Sequence, residues 1–466
     1  MSPSAFCCSR FSIWRWLSVP HGGAITRRAF DMEWYWALTI ALVILFGLMA
    51  TGLPVFSAFL IANLGGVLLV MGPRGFGLFS NSIYQTVTSE TFVTIPLFIL
   101  MGEILFRSGS VEVLSAALDK LIGRVRGRLY FLIVALSTVF GALSGSAVAV
   151  AAMLGRSILP QMKAQGYNSG LANFTILGGA SLAPIIPPSL LVIVIGSLVN
   201  NVSIAGLLIA GLVPGLVLSL MMAAYILVRM RLSPEVAPPI IEGPTVSRRE
   251  KLKAAASTLP FGIVIFFVMG LILLGVATPS EAAASGVVGA AFTSVIYRRF
   301  SLEMIWGALK SSVVITSMIM LIVASSKLFG QLLSFMGATS GLIGFVGQLQ
   351  IEPWMMFVVL MLVPLILCMF IDQFAFLLLA IPLYEPIIRT FGFDPMWFWT
   401  LFLINLTIGS ITPPFGYTLF ALKGAADGVS LTEIYRSAWP VVAIFLIGLA
   451  LFSVFPPLIT TLPALL

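Results

Sequence analysis

One histidine, three cysteines and few charges leave little for most kinds of protein chemistry to use. His21 stands alone, so neither an HExxH metal site nor a Ser/His/Asp set can be assembled. Cys7, Cys8 and Cys368 have neither metal-ligand spacing nor the pairing of a disulfide framework. Charged residues make up only 9% of the chain, where soluble domains carry roughly 25%. Apolar residues fill the gap, at 59% of the sequence with a mean hydropathy of +1.10. A helix needs about 20 apolar residues to cross the hydrocarbon core, and the chain offers about ten such stretches. The pattern predicts an all-α, polytopic membrane protein embedded in a lipid bilayer. Its net charge of +8 reflects orientation in that bilayer and not nucleic acid, because the basic residues sit in short loops between apolar runs.

Two stretches, Gly141 to Ser189 and Leu367 to Gly416, carry the same punctuation. Slid forward by 226 residues, Pro160 falls on Pro386, Gly166 on Gly392, Ile185 on Ile411 and Pro187-Pro188 on Pro413-Pro414. Prolines and a glycine in register without a gap mark an internal repeat. The expected organisation is an N-terminal extension over 1–31, with Met32 an alternative start, and a first repeat over 32–228. A hydrophilic, proline-rich linker over 229–259 and a second repeat over 260–466 follow.

Within the first repeat, Gly141 to Ser146 splits an apolar run into a re-entrant hairpin over 130–162, and Ala183 to Ser189 breaks a helix over 171–199. In the second, Cys368 to Asp372 splits a hairpin over 354–388, and Gly409 to Gly416 breaks a helix over 396–422. The arms of such pieces are too short to span. A crossing from Thr91 to Phe106 is read as interrupted at Ile95-Pro96. Another, from Val313 to Leu328, is read as separate from an amphipathic piece before it. Basic loops at 120–128, 229–253 and 298–299 belong on the cytoplasmic side. Each half then has five crossings plus one hairpin, and the odd number inverts the second copy.

Inverted repeats with broken helices at matching positions point to a secondary transporter whose site lies at the bilayer midplane. Breaking a helix frees carbonyls at one end and N–H groups at the other, and neither can face lipid. The carbonyls suit sodium, and the N–H groups at a positive helix end suit a carboxylate. Ser144, Ser146, Ser181, Ser189, Ser410 and Thr412 add hydroxyl oxygens. Taken singly, Gly141 and Gly145 are explained by close helix packing, and Pro187-Pro188 by an ordinary kink. Paired breaks in both halves favour a site. Asp372 differs in kind, because a carboxylate near the membrane centre costs roughly 2.5–3.5 kcal/mol on insertion scales. Glu103, Glu281, Lys327, Glu385 and Arg389 lie nearer helix ends, where snorkelling accounts for them. An intramembrane acid–base enzyme would want a second carboxylate beside Asp372. The first repeat has Ser146 at the equivalent position, so an enzyme is not expected.

At these residues the sequence resembles the large membrane subunit of the tripartite ATP-independent periplasmic (TRAP) transporters. The phrases that carry the resemblance are IPLFILMGEI from Ile95, GALSGSAVA from Gly141, APIIPPS from Ala183, ATPSEAAA from Ala277, CMFIDQFA from Cys368 and INLTIGSITPPFGYTLF from Ile404. The resemblance implies an elevator, in which a transport domain of hairpins and broken helices slides against a scaffold. It implies residence in a bacterial inner membrane and sodium-driven uptake of an organic acid. Two partners are implied, a periplasmic substrate-binding protein and a separate small membrane subunit of four helices. It also implies two sodium sites, one among Ser144, Gly145, Ala183, Ile186 and Ser189, the other among Cys368, Gly409, Thr412 and Phe415. The substrate would lie between the tips, near Ser146, Asp372, Pro187, Pro188, Pro413 and Pro414. Cys368 stands where a glycine looks more usual in the family, so any contact there is through its backbone. The competing expectation is a stand-alone sodium/organic-anion symporter that needs no binding protein.

Overall fold

The computed structural model describes residues 33–123, 125–199, 202–239, 247–426 and 428–465. The extension expected over 1–31 lies outside the described residues. Helices and turns account for the described chain, and no strand occurs in it. The first half runs α1 (Trp34–Ala50), α2 (Val55–Val70), α3 (Phe76–Val87), α4 (Glu90–Arg107), α5 (Ser110–Ile122) and α6 (Arg128–Ser144). It continues with α7 (Ala147–Ser157), α8 (Leu159–Ala164), α9 (Ser169–Leu182), α10 (Leu190–Leu198), α11 (Ile204–Ala210) and α12 (Leu212–Leu232). The second half holds α13 (Arg248–Ile265), which passes through a π turn at Phe266–Gly270, then α14 (Pro279–Ile296), α15 (Leu302–Phe335), α16 (Ala338–Gln348) and α17 (Pro353–Leu367). It ends with α18 (Gln373–Thr390), α19 (Pro395–Ile411), α20 (Tyr417–Ala425) and α21 (Leu431–Val454).

Helix boundaries follow cap chemistry, and the caps recur at the 226-residue spacing. Asn168 opens α9 by accepting the Leu171 N–H at 3.0 Å, and Asp394 opens α19 by accepting the Trp397 N–H at 2.8 Å. Each side-chain oxygen satisfies one of the donors that a helix start leaves unpaired. Just before them, Gly166 and Gly392 both have positive φ, at 75° and 67°, a conformation that a residue with a Cβ resists. Ser146 and Asp372 cap α7 and α18 in the same corresponding way. Both Pro-Pro bonds, 187–188 and 413–414, are cis.

Packing divides the helices into two groups. In one, α4 lies against both α14 and α15, α2 against α15, α1 against α16, and α5 against α13. These contacts are reciprocal at the repeat spacing: α2 on α15 answers α14 on α4, and α1 on α16 answers α13 on α5. The other group joins α6 to α9, α9 to α21, α7 to α20, and α17 to α19. Here α7 on α20 is answered by α18 on α10.

Four helical stretches are long and apolar enough to cross a membrane, namely 204–232, 248–273, 302–335 and 431–454, and α3 with α4 makes a fifth if that pair, bent by 55°, is one span. Five more apolar helices run 10–17 residues, at or below the lower end of spanning length. The chain is a multi-pass integral membrane protein. Two sequence expectations are corrected. Pro96 does not interrupt its crossing, since α4 runs unbroken from Glu90 to Arg107. Proline removes one helix hydrogen bond and crowds the preceding turn, but Phe92, Ile95 and Phe98 around it are buried, and packing holds the helix together. The amphipathic piece and the crossing after it form a single 34-residue helix, α15. No proline falls between Leu302 and Phe335 to separate them.

Candidate functional site

Each hairpin tip meets the break of its own half's long helix. A Cβ added to Gly141, near the end of α6, would lie 2.8 Å from the Ala183 Cα and 3.2 Å from its N. Only glycine lets the two backbones come this close. One turn on, Gly145 ends α6 with φ of 59°, and a Cβ there would meet the Leu190 N at 3.2 Å and the Pro188 O at 3.4 Å. In the second half the glycine is on the other partner. A Cβ on Gly409 would run into Cys368, at 3.1 Å from its carbonyl carbon and 3.2 Å from its Cα. The small residue has changed sides while the close approach is kept.

At the first junction Ala183, Ile186, Pro187, Pro188 and Ser189 are all buried. The Ser189 hydroxyl accepts the Val192 N–H at 3.4 Å and so starts α10. The backbone of Ser144 closes α6, and its side chain lies outside the described residues. At the second junction Cys368 is fully buried, and the Thr412 hydroxyl donates to the Ile408 carbonyl at 2.6 Å. Ser410 donates likewise to Thr407 at 2.8 Å. Pro413 is buried, whereas Pro414 and Phe415 are exposed. The Phe415 ring packs on Phe370, 5.5 Å between centroids, and the Tyr435 hydroxyl donates to the Pro414 carbonyl. Apart from the Cys368 thiol, the donors gathered at both junctions are oxygens, which suit a hard cation.

Between the two groups of helices lies a cavity of about 530 Å³. The tips supply one wall, with Gly145, Ser146, Pro188 and Asp372. Facing them, α4 and α15 supply an apolar wall that includes Phe98, Ile99, Met318 and Ile319. Asp372 is exposed into this space, and its Oδ1 accepts the N–H groups of Phe374 at 2.9 Å and Ala375 at 3.4 Å. Glu103 is the charged side chain on the opposite wall. Its Oε2 takes the Arg107 Nε–H at 2.9 Å, and Arg107 Nη2 donates to the Ser311 hydroxyl at 2.7 Å.

Of the residues expected near substrate, Ser146, Pro188 and Asp372 line the cavity; Pro187, Pro413 and Pro414 are not among its lining residues. Sequence reasoning missed the apolar wall, since Phe98, Met318 and their neighbours look like any other membrane helix residues. It also missed Tyr435, which only the fold carries to Pro414.

The fold and the paired tip–break junctions define a helical membrane permease. A solved structure from Alcanivorax borkumensis, described as the YdaH transporter with an unusual topology, shares this fold with a TM-score of 0.56 at 14% identity, over 84% of this chain and 91% of that one. The profile of the tripartite ATP-independent periplasmic transporter, DctM component, matches residues 42–458. The C4-dicarboxylate TRAP transporter large permease protein DctM of Pseudomonas aeruginosa is 31% identical over 85% of this chain and 91% of its own. The sialic acid TRAP transporter large permease protein SiaM of Vibrio cholerae is 28% identical over 90% and 97%. The chain therefore belongs to the DctM family of TRAP transporter large permeases, and its relatives are transport proteins rather than enzymes.

Proposed function

We infer that this chain is the large permease of a sodium-coupled importer of an organic acid, working in a bacterial inner membrane. A periplasmic binding protein delivers the solute, and a small four-helix membrane subunit packs on the frame made by α1–α5 and α13–α16. The observation that carries this reading is the pair of tip–break junctions facing one cavity, within a family whose relatives are named as TRAP permeases of C4-dicarboxylate and sialic acid. Reciprocal packing at the repeat spacing supports two inverted halves. The bundle of α6–α12 and α17–α21 then moves as a unit past the frame. An apolar wall on α4 and α15 suits that motion, because it offers the solute few polar groups to hold it back.

In this reading one sodium ion binds where Gly145 meets the carbonyls of 183–189, and a second where Cys368 meets those of 409–415. The solute lies between Ser146 and Asp372. Uptake into proteoliposomes holding the permease and its small partner tests this directly. It should require both a sodium gradient and the binding protein. Uptake unchanged without sodium removes the coupling, and uptake with sodium alone replaces the tripartite reading by a stand-alone symporter.

A further inference from the structure

The charges that face the cavity point to the class of solute it takes, an inference that rests on the organic-acid reading above. Among the described residues that line it, Glu103 and Asp372 are charged, and no lysine, arginine or histidine is present. The nearest cation, Arg107, is already engaged by Glu103 and Ser311 and does not line the cavity. A charge taken into such a space is costly unless paired. Two sodium ions at the junctions would do no more than balance the two carboxylates, so a dianion would enter with neither of its charges compensated by a side chain. A single carboxylate has a place to go, at the start of α7. There Ser146 is a neutral cap, and the first-turn N–H groups have no helical partner. The start of α18 is different, because the Asp372 carboxylate already takes its N–H groups. That end of the cavity presents acceptors, and so does Glu103 across from it.

We propose that the permease carries monocarboxylates bearing hydroxyl or ammonium donors, and rejects dicarboxylates. The carboxylate faces Ser146 and the donors face Asp372 and Glu103. Glu103 thus sets specificity from the frame side.

The test is thermal stabilisation of the permease, purified with its small membrane subunit in saturating sodium, by gluconate, ectoine and succinate. Gluconate or ectoine is expected to raise the unfolding midpoint and succinate to leave it unchanged. In Glu103→Gln, discrimination against succinate should narrow by about tenfold, the order expected for one unit charge several ångströms away at an effective dielectric constant near 20. Succinate stabilising the unsubstituted protein as well as gluconate does would overturn the proposal while leaving the organic-acid reading intact. Stabilisation by none of the three would remove that reading, and the proposal with it.

Discussion

Replacing Gly141 by alanine tests the first junction with a single methyl group. In a helix interior this change is ordinarily favourable by roughly 0.8–1.0 kcal/mol. Here the new Cβ would sit 2.8 Å from the Ala183 Cα, and a backbone atom cannot rotate away as a side chain can. Overpacking of this kind costs about 1–3 kcal/mol, and the rigid neighbour argues for the upper half of that range. The net expectation is a loss of about 1–2 kcal/mol. Gly47→Ala is the control, because Gly47 lies within α1 and a Cβ there meets nothing within 4 Å. The control should gain up to about 1 kcal/mol, so the two variants should differ by about 2–3 kcal/mol. Thermal unfolding in detergent with and without sodium reads the difference. If the junction holds sodium, pushing its two sides apart should also raise the half-saturating sodium concentration roughly 5–30-fold. Gly141→Ala behaving like Gly47→Ala in both measurements would refute the reasoning.

Three further substitutions separate structure from function. Asp372→Asn should leave stability nearly unchanged, because asparagine caps a helix about as well as aspartate, while the sodium half-saturation of uptake rises about tenfold or more. An equal fall in stability would mean that the carboxylate serves the fold. Tyr435→Phe removes the donor to the Pro414 carbonyl and should cost about 1 kcal/mol, with weaker sodium dependence in uptake assays; unaltered sodium dependence would detach Tyr435 from the second junction. Tyr130→Phe removes the 2.6 Å hydrogen bond to the Val236 carbonyl, which keeps only the Asn168 N–H at 3.1 Å. Amide exchange around 234–237 should quicken, with sodium half-saturation unmoved.

Much of this molecule was legible before any fold was seen, because membranes make local sequence unusually informative. Lipid offers no hydrogen bonds, so helix breaks must be written as Gly, Pro and Ser at fixed places. Gly141 to Ser146, Cys368 to Asp372 and the two Pro-Pro segments were visible for that reason, and the helix ends at Ser144, Leu182, Leu367 and Ile411 agree with them. The errors came where the same residues have two outcomes. Pro96 looks like Pro187 in a one-dimensional pattern, yet one lies within a packed helix and the other within a break.

The sequence by itself determined the solvent, the repeat spacing and where the helices stop, since each depends on backbone chemistry within a few residues. Tertiary structure alone decided which groups share a space. Asp372 and Glu103 are 269 positions apart in the chain, and their meeting across one cavity depends on α4 packing between α14 and α15. The same holds for the exchange of glycine between Gly141 and Gly409, each explained only by the backbone opposite. Contacts between distant segments depend on the shape of both partners, and neither segment's sequence contains the other.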